Sequence, residues 1–284
     1  MRILKIFGLM LLVAAVIYFC GPTPAKPHYN TQLPTIPETV SSLEWYVQTQ
    51  NQQHKIKPGN EAAIVWLNDS LPAPTDYVLL YLHGFSASQE EGNPVHRNVA
   101  KTLGCNLYLA RLSEHGIDTT DALINMTAES LWNSAKEAYA IAKNLGKKVI
   151  VVGTSTGGSL ALQLAATYPE IAAVVLYSPN IAIYNPNAWL LNNPWGLQIA
   201  RKVQKSNYNT AGNGTEEYKK YWNHQYRLEA TVQLEEYLET AMVKETFNKI
   251  QQPVLCLYYY KNEEEQDKVV KVSAMKTMFE QLGT

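Results

Sequence analysis

A serine at position 155 stands in the run Gly153-Thr154-Ser155-Thr156-Gly157, between KVIVV at 148–152 and a helix-like segment, SLALQLAATYPE. A strand that turns at once into a helix crowds its neighbours. Glycine at 153 and 157 removes the side chains that would clash. The serine is then held in a strained backbone conformation with its hydroxyl raised above the sheet. The helix N-terminus beside it offers free N–H groups and a positive dipole end to developing negative charge. That chemistry is nucleophilic attack on a carbonyl, with the N–H of Thr156 facing the oxyanion.

A second stretch supplies the partner donor. His83-Gly84-Phe85 directly follows the apolar run YVLLYL at 77–82. Gly84 allows close approach of the backbone, and the N–H of Phe85 is expected to point at the same substrate oxygen. His83 is read as shaping this oxyanion loop rather than as a catalytic base. Gly-Thr-Ser-Thr-Gly-Gly at 153–158 is not a G-x-G-x-x-G fingerprint, and there is no Walker loop or metal-ligand cluster. Neither a cofactor nor a metal is implied.

The elements that must carry these residues follow from the hydrophobic pattern. Short β-rich runs at 77–82, 105–110, 148–152, 172–177 and 253–260 fit strands buried on both faces. Between them lie helical stretches. Thr127 is an N-cap, Leu131, Ala135, Ala138, Ala142 and Leu145 follow at helical spacing, and Gly146 is expected to close that helix at C′. The alternation predicts an α/β fold, a mostly parallel sheet flanked by helices. Residues 181–250 interrupt it with no convincing strand and many aromatics, among them Trp189, Trp195, Trp222 and Tyr226. They are predicted to form a helical cap inserted late in the sheet, a lid over its C-terminal edge whose aromatics also make the insert's own core. The chain then divides into an N-terminal segment (1–21), a Pro-rich linker (22–40), a first core part (41–180), the cap (181–250) and a second core part (251–284).

Together His83-Gly84-Phe85, Gly153-Thr-Ser155-Thr-Gly157, the LSEHGID turn at 112–118 and PVLCLYYYKNEEEQDKVV from Pro253 resemble the α/β-hydrolase superfamily. The similarity is to its branch of carboxylesterases, monoglyceride lipases and serine aminopeptidase-like hydrolases, and it runs from about residue 60 to the end. It implies an order of serine, acid and histidine, with the acid just after the strand that ends near Tyr260. Asp267 matches the D-x-x-V pattern by position, with Glu263, Glu264 and Glu265 as rivals. It would hold the base's tautomer and stabilise imidazolium. The resemblance also makes His115 structural. No histidine follows Asp267; the six present are His28, His54, His83, His96, His115 and His224, and none stands at the matching position. Two explanations are open: a truncated hydrolase, which is the reading favoured, or a natural variant that kept its pocket and lost its base. Either way the chain as given is expected to be nearly inactive.

Composition bounds the partners. The chain has 284 residues, 46% apolar and 17% charged, with a formal net charge of −1, and nothing in it suggests nucleic-acid binding. Cys105 and Cys256 read as buried small hydrophobes. Arg2 and Lys5 precede an uncharged apolar run at 6–20, either a signal-peptide core or a short membrane helix. An uncleaved anchor with the catalytic domain outside the cytoplasm is the reading adopted; a secreted or periplasmic protein after cleavage is the alternative. The prolines at 22, 24, 27, 34 and 37 fit a stiff extended linker off the membrane. The expected substrate is a small apolar ester, lipid-like or acylglycerol-type. Amide or peptide hydrolysis and a non-catalytic binding module are the alternatives. Oligomeric state is not legible.

Overall fold

The computed structural model describes residues 2–283. Met1 and Thr284, the outermost residues of the N-terminal segment and of the second core part, lie outside that range. Helix α1 (Arg2–Phe19) leads through the Pro-rich stretch to α2 (Val40–Gln52). Strands β1 (Ala63–Val65) and β2 (Thr75–Leu82) follow, then α3 (Val95–Leu103) and β3 (Asn106–Leu109). Next come α4 (Ala128–Leu145), β4 (Gly146–Thr154), α5 (Thr156–Thr167) and β5 (Ala173–Tyr177). After the insert, β8 (Val254–Leu257) and α10 (Val272–Glu280) complete the described chain.

The six-stranded sheet has the order β1-β3-β2-β4-β5-β8, with only the β1–β3 pair antiparallel. Burial on both faces is visible in β2. Val78, Leu80 and Leu82 enter the larger core with Trp132, Tyr139 and Tyr237, whereas Leu79 and Tyr81 enter a smaller one with Leu107, Leu109 and Val152. Alternate residues serve opposite faces, as the period of a strand demands.

Helix α4 starts as expected. The Thr127 hydroxyl accepts from Ser130 N, and the Ser130 hydroxyl accepts from Thr127 N, a reciprocal cap. Gly146 does not end it in a left-handed turn. Its φ of −167° is extended and it begins β4. Glycine is required there because a Cβ would meet the Val78 Cβ at 2.8 Å and the Tyr77 carbonyl carbon at 2.9 Å.

The insert differs from expectation in one respect. Besides α6 (Gly196–Gln204), α7 (Glu216–Tyr221), α8 (Leu228–Ala241) and α9 (Lys244–Phe247), it contains an antiparallel ribbon, β6 (Tyr208–Thr210) with β7 (Gln225–Arg227). Three-residue strands carry too little periodicity to announce themselves. Helix α8 belongs to the core: Tyr237 is fully buried and its hydroxyl donates to Gln163 of α5.

Two expectations about exposed and buried segments change. The proline-rich stretch is not a free spacer. It is strapped to the body: the Trp132 indole donates to Asn30 O (2.8 Å), the Tyr168 hydroxyl to Thr31 O (2.8 Å) and Lys136 Nζ to Gln32 O (3.1 Å). Lys26 pairs with the buried Glu236 at 3.0 Å. The last strand is shorter than 253–260, and Leu255 and Leu257 are exposed at 52% and 46%, because no described element covers that face. Among the described residues no helix is long and apolar enough to cross a membrane, so the expected span is not supported. Ile6, Leu9, Leu12, Val16 and Phe19 of α1 are exposed.

Candidate active site

Ser155 sits between β4 and α5 at φ 51°, ψ −117°. That region is essentially reserved for glycine, so the residue is strained. The strain is held from both sides. Ser155 N donates to Tyr177 O at 2.9 Å, and Ser155 O accepts from Gly158 N and Asn180 N at 2.9 and 3.0 Å. The flanking glycines are there for space. A Cβ on Gly153 would stand 2.3 Å from Gly157 O, and one on Gly157 would stand 2.0 Å from Leu82 O. The close approach of β2 to the first turn of α5 therefore depends on residue 157 having no side chain.

The elbow opens into a cleft of about 880 Å³. Ser155, Phe85, Glu91 and Asp267 line it at one end; Leu190, Ile199, Trp222 and Tyr226 line it from the insert. No Lys, Arg or His is among the lining residues. Phe85 packs edge-on against Tyr226, with ring centroids 5.2 Å apart, which ties the loop after β2 to the insert. Thr156 is buried at the start of α5. No hydrogen-bond acceptor is recorded for the N–H of Phe85 or Thr156 among the described residues, so both remain free for a ligand oxygen.

His83 is fully buried. Its Nδ1 donates to Gly84 O (2.8 Å) and its Nε2 accepts from Leu112 N (3.1 Å), which spans the loops after β2 and β3. Beside it, His115 donates from Nδ1 to Ser113 O and accepts from Ser86 N at Nε2. Burial pushes both imidazoles down, His115 to about 4, and they are neutral struts. His96 donates to Gln89 O, His224 bonds Ala211 O, and His28 and His54 are exposed. Among the described residues no imidazole contacts Ser155.

The acid rivals stand in different surroundings. Asp267 lines the cleft, and its Oδ1 accepts from Val269 N (2.8 Å) and Val270 N (3.1 Å), a turn that fixes the carboxylate. Glu263 and Glu265 are exposed and bond to Tyr260 and Lys261; Glu264 is exposed as well. One cleft residue was missed from the sequence. Glu91 follows the loop after β2 in a short turn, where no local pattern singles it out. Its carboxylate turns inward and accepts from Gly84 N at 2.6 Å.

Residues 129–284 match the family described as serine aminopeptidase, S33. The chain belongs to that family. A thermostable monoacylglycerol lipase of Bacillus sp. (strain H-257) is 32% identical over 97 residues, which are 34% of this S33 hydrolase and 38% of the relative. The chain thus spans well under half the length of that curated relative. Among solved structures, one described for LipS and LipT, two metagenome-derived lipolytic enzymes, superposes with a TM-score of 0.63 at 18% identity, covering 80% of this chain and 85% of that one. A monoacylglycerol lipase of Paleococcus ferrophilus gives 0.57 at 16%, covering 78% and 83%. At such identities the likeness is one of fold, and it agrees with the α/β-hydrolase sheet described above.

Proposed function

We propose that this S33 hydrolase cleaves neutral, apolar carboxylic esters of the acylglycerol type through Ser155. The observation that carries the reading is the strained backbone of Ser155 at the mouth of a largely apolar cleft. In this reading the Ser155 oxygen bonds to the ester carbonyl carbon and the carbonyl electrons move onto oxygen. The amides of Phe85 and Thr156 receive that oxyanion. The alcohol leaves with a proton, and water releases the acyl group. Asp267 is the carboxylate that would orient an imidazole and stabilise its cation. Because no described imidazole reaches Ser155, the 284-residue chain turns over slowly. The oxyanion donors and binding alone sustain ~10³–10⁴-fold over water. The two acids in the cleft and the lack of a cation favour a neutral substrate over an anionic one.

A fluorophosphonate probe tests the nucleophile: it should label Ser155 in the full chain and leave Ser155→Ala unlabelled. Added imidazole should raise p-nitrophenyl ester hydrolysis above the Ser155→Ala background. Absence of labelling would leave a ligand-binding protein. For location, a domain held outside the cytoplasm at a membrane, or released by cleavage, is proposed from Arg2 and Lys5 ahead of the apolar run at 6–20. Fractionation with and without residues 1–21 separates the two.

A further inference from the structure

Glu91 is a cleft carboxyl that the serine, acid and amide roles leave unused. It lies in the turn of residues 89–92, after the oxyanion loop, and its side chain turns back beneath that loop. Oε2 accepts from Gly84 N at 2.6 Å and faces the Tyr81 hydroxyl at 3.5 Å. Oε1 has no hydrogen-bond partner among the described residues. It lies near Ser155: a Cβ built on Gly84 would stand 2.9 Å from Glu91 Oε1, 3.1 Å from Oε2 and 3.3 Å from the Ser155 Cβ, and Glu91 and Ser155 both line the cleft. Because Gly84 has no side chain, the carboxyl and the Ser155 Cβ come close on either side of it.

Resting on the serine-hydrolase reading above, we propose that Glu91 is a catalytic residue that works as a neutral carboxylic acid. Its Oε1 hydroxyl donates to the developing oxyanion beside Ser155, while Oε2 holds the Gly84 amide and so aims Phe85. The proton stays on Glu91 throughout; no bond to it is broken. A carboxylate at this place would oppose the oxyanion, so the acid form is the competent one.

The surroundings favour that form. Burial pushes Glu91 up to about 7, against the Gly84 hydrogen bond that lowers it. The titratable groups around it are Tyr81 from β2, itself bonded to Thr154 and next to Tyr177 of β5, and Tyr218 from α7. His96 of α3 packs on the Tyr81 ring, and Asp267 lines the same cleft. Glu90, adjacent in the chain, is bonded to Asn93. The formal charges among these are negative, and no cation lines the cleft.

The test is the rate of fluorophosphonate labelling at Ser155 of the full chain from pH 6 to 9, for wild type, Glu91→Gln and Glu91→Ala. Glutamine keeps a donor and carries no charge. Glu91→Ala should label about tenfold more slowly at pH 6, and Glu91→Gln should restore most of that loss. The ratio of Glu91→Gln to wild type should rise about tenfold between pH 6 and 9, a change that a purely structural role would not produce. A flat ratio, or Glu91→Gln as slow as Glu91→Ala, overturns the proposal. Should wild type not label at any pH, the nucleophile reading fails by itself. Infrared difference spectra against Glu91→Gln then decide on Glu91: a carboxylic-acid C=O band at pH 6 that fades by pH 9 supports it, and its absence at pH 6 overturns it.

Discussion

Replacing Ser155 by glycine should make the protein more stable while ending its chemistry. At φ 51°, ψ −117° the residue sits where an L side chain is strained, and the mirror of that conformation is ordinary extended backbone, so glycine adopts it freely. The strain costs a non-glycine residue about 1–3 kcal/mol. Glycine gives back about 0.5–1 kcal/mol through the greater freedom of its unfolded chain. No hydrogen bond of the Ser155 hydroxyl is recorded, so truncation removes none. The net gain is about 1 kcal/mol, a rise of about 2–4 °C in Tm for a domain of this size. Ser155→Ala is the control, because it removes the hydroxyl and keeps the Cβ and the strain. Thermal unfolding of the two variants side by side isolates the backbone contribution. If Ser155→Gly melts at or below Ser155→Ala, the elbow stores no strain and the account of the turn is wrong.

Gly157→Ala should act in the other direction, since its Cβ would stand 2.0 Å from Leu82 O and 2.6 Å from His83 O; a loss of about 3 kcal/mol and slower probe labelling are expected, read by denaturant unfolding and gel fluorescence. Stability against pH should be nearly flat between about 4.5 and 6.5 because two effects oppose. The buried His83 and His115, both held down and His115 to about 4, contribute stability present above 6.5 and lost as pH falls through their lowered values; Glu91 and Glu235, each pushed up to about 7, contribute stability present below 4.5 and lost as pH rises through 7, two groups against two. The double variant Glu91→Gln/Glu235→Gln should therefore show a Tm that climbs with pH more steeply than the parent, and equal slopes would contradict this. By calorimetry at pH 9, a monoalkylglycerol ether should bind at least about tenfold tighter than the fatty acid of equal chain length, since an unscreened carboxylate about 6 Å away costs roughly 3 kcal/mol at an effective dielectric of 20; equal affinities would refute the charge argument.

What was legible in the sequence was whatever depends on local pattern. Strands β2 to β5 announce themselves because burial on both faces forces unbroken apolar runs, and the elbow because only glycine fits at 153 and 157. Asp267 was placed by its resemblance, and the turn it makes with Val269 and Val270 accounts for its position at the cleft. What failed to show depends on tertiary partners. Proline spacing at 22–37 reports stiffness, but not that Trp132, Lys136 and Tyr168 would clasp the carbonyls between those prolines. Gly146 next to a helix end reads as a cap, whereas the crowding comes from β2, some seventy residues earlier. Glu91 has no local pattern to mark it; only its hydrogen bond from Gly84 N brings it into the cleft.

The position of the cleft follows from strand order more than from any single motif. Chain connections run from β2 to β3 on one side and then from β3 across to β4 on the other, so the loops leaving β2 and β4 part in opposite directions. A crevice must open between them at the carboxyl ends of the strands, which is where ligands bind in such sheets. The loop after β2 carries Gly84, Phe85 and Glu91, and the turn after β4 carries Ser155 and Thr156. Asp267 arrives from beyond β8, two strands away from β4. In the proposed mechanism the two groups that need ångström-level alignment, nucleophile and oxyanion donors, therefore come from adjacent strands locked by the β2–β4 register through Leu82 and Gly153. In the same mechanism the acid would act through an intervening base and so tolerate the greater distance. This division explains why glycine crowding, buried histidine struts and the Glu91 carboxyl all concentrate at the β2–β4 junction, while Asp267 is held by its own turn and by its N–H to Tyr259 O.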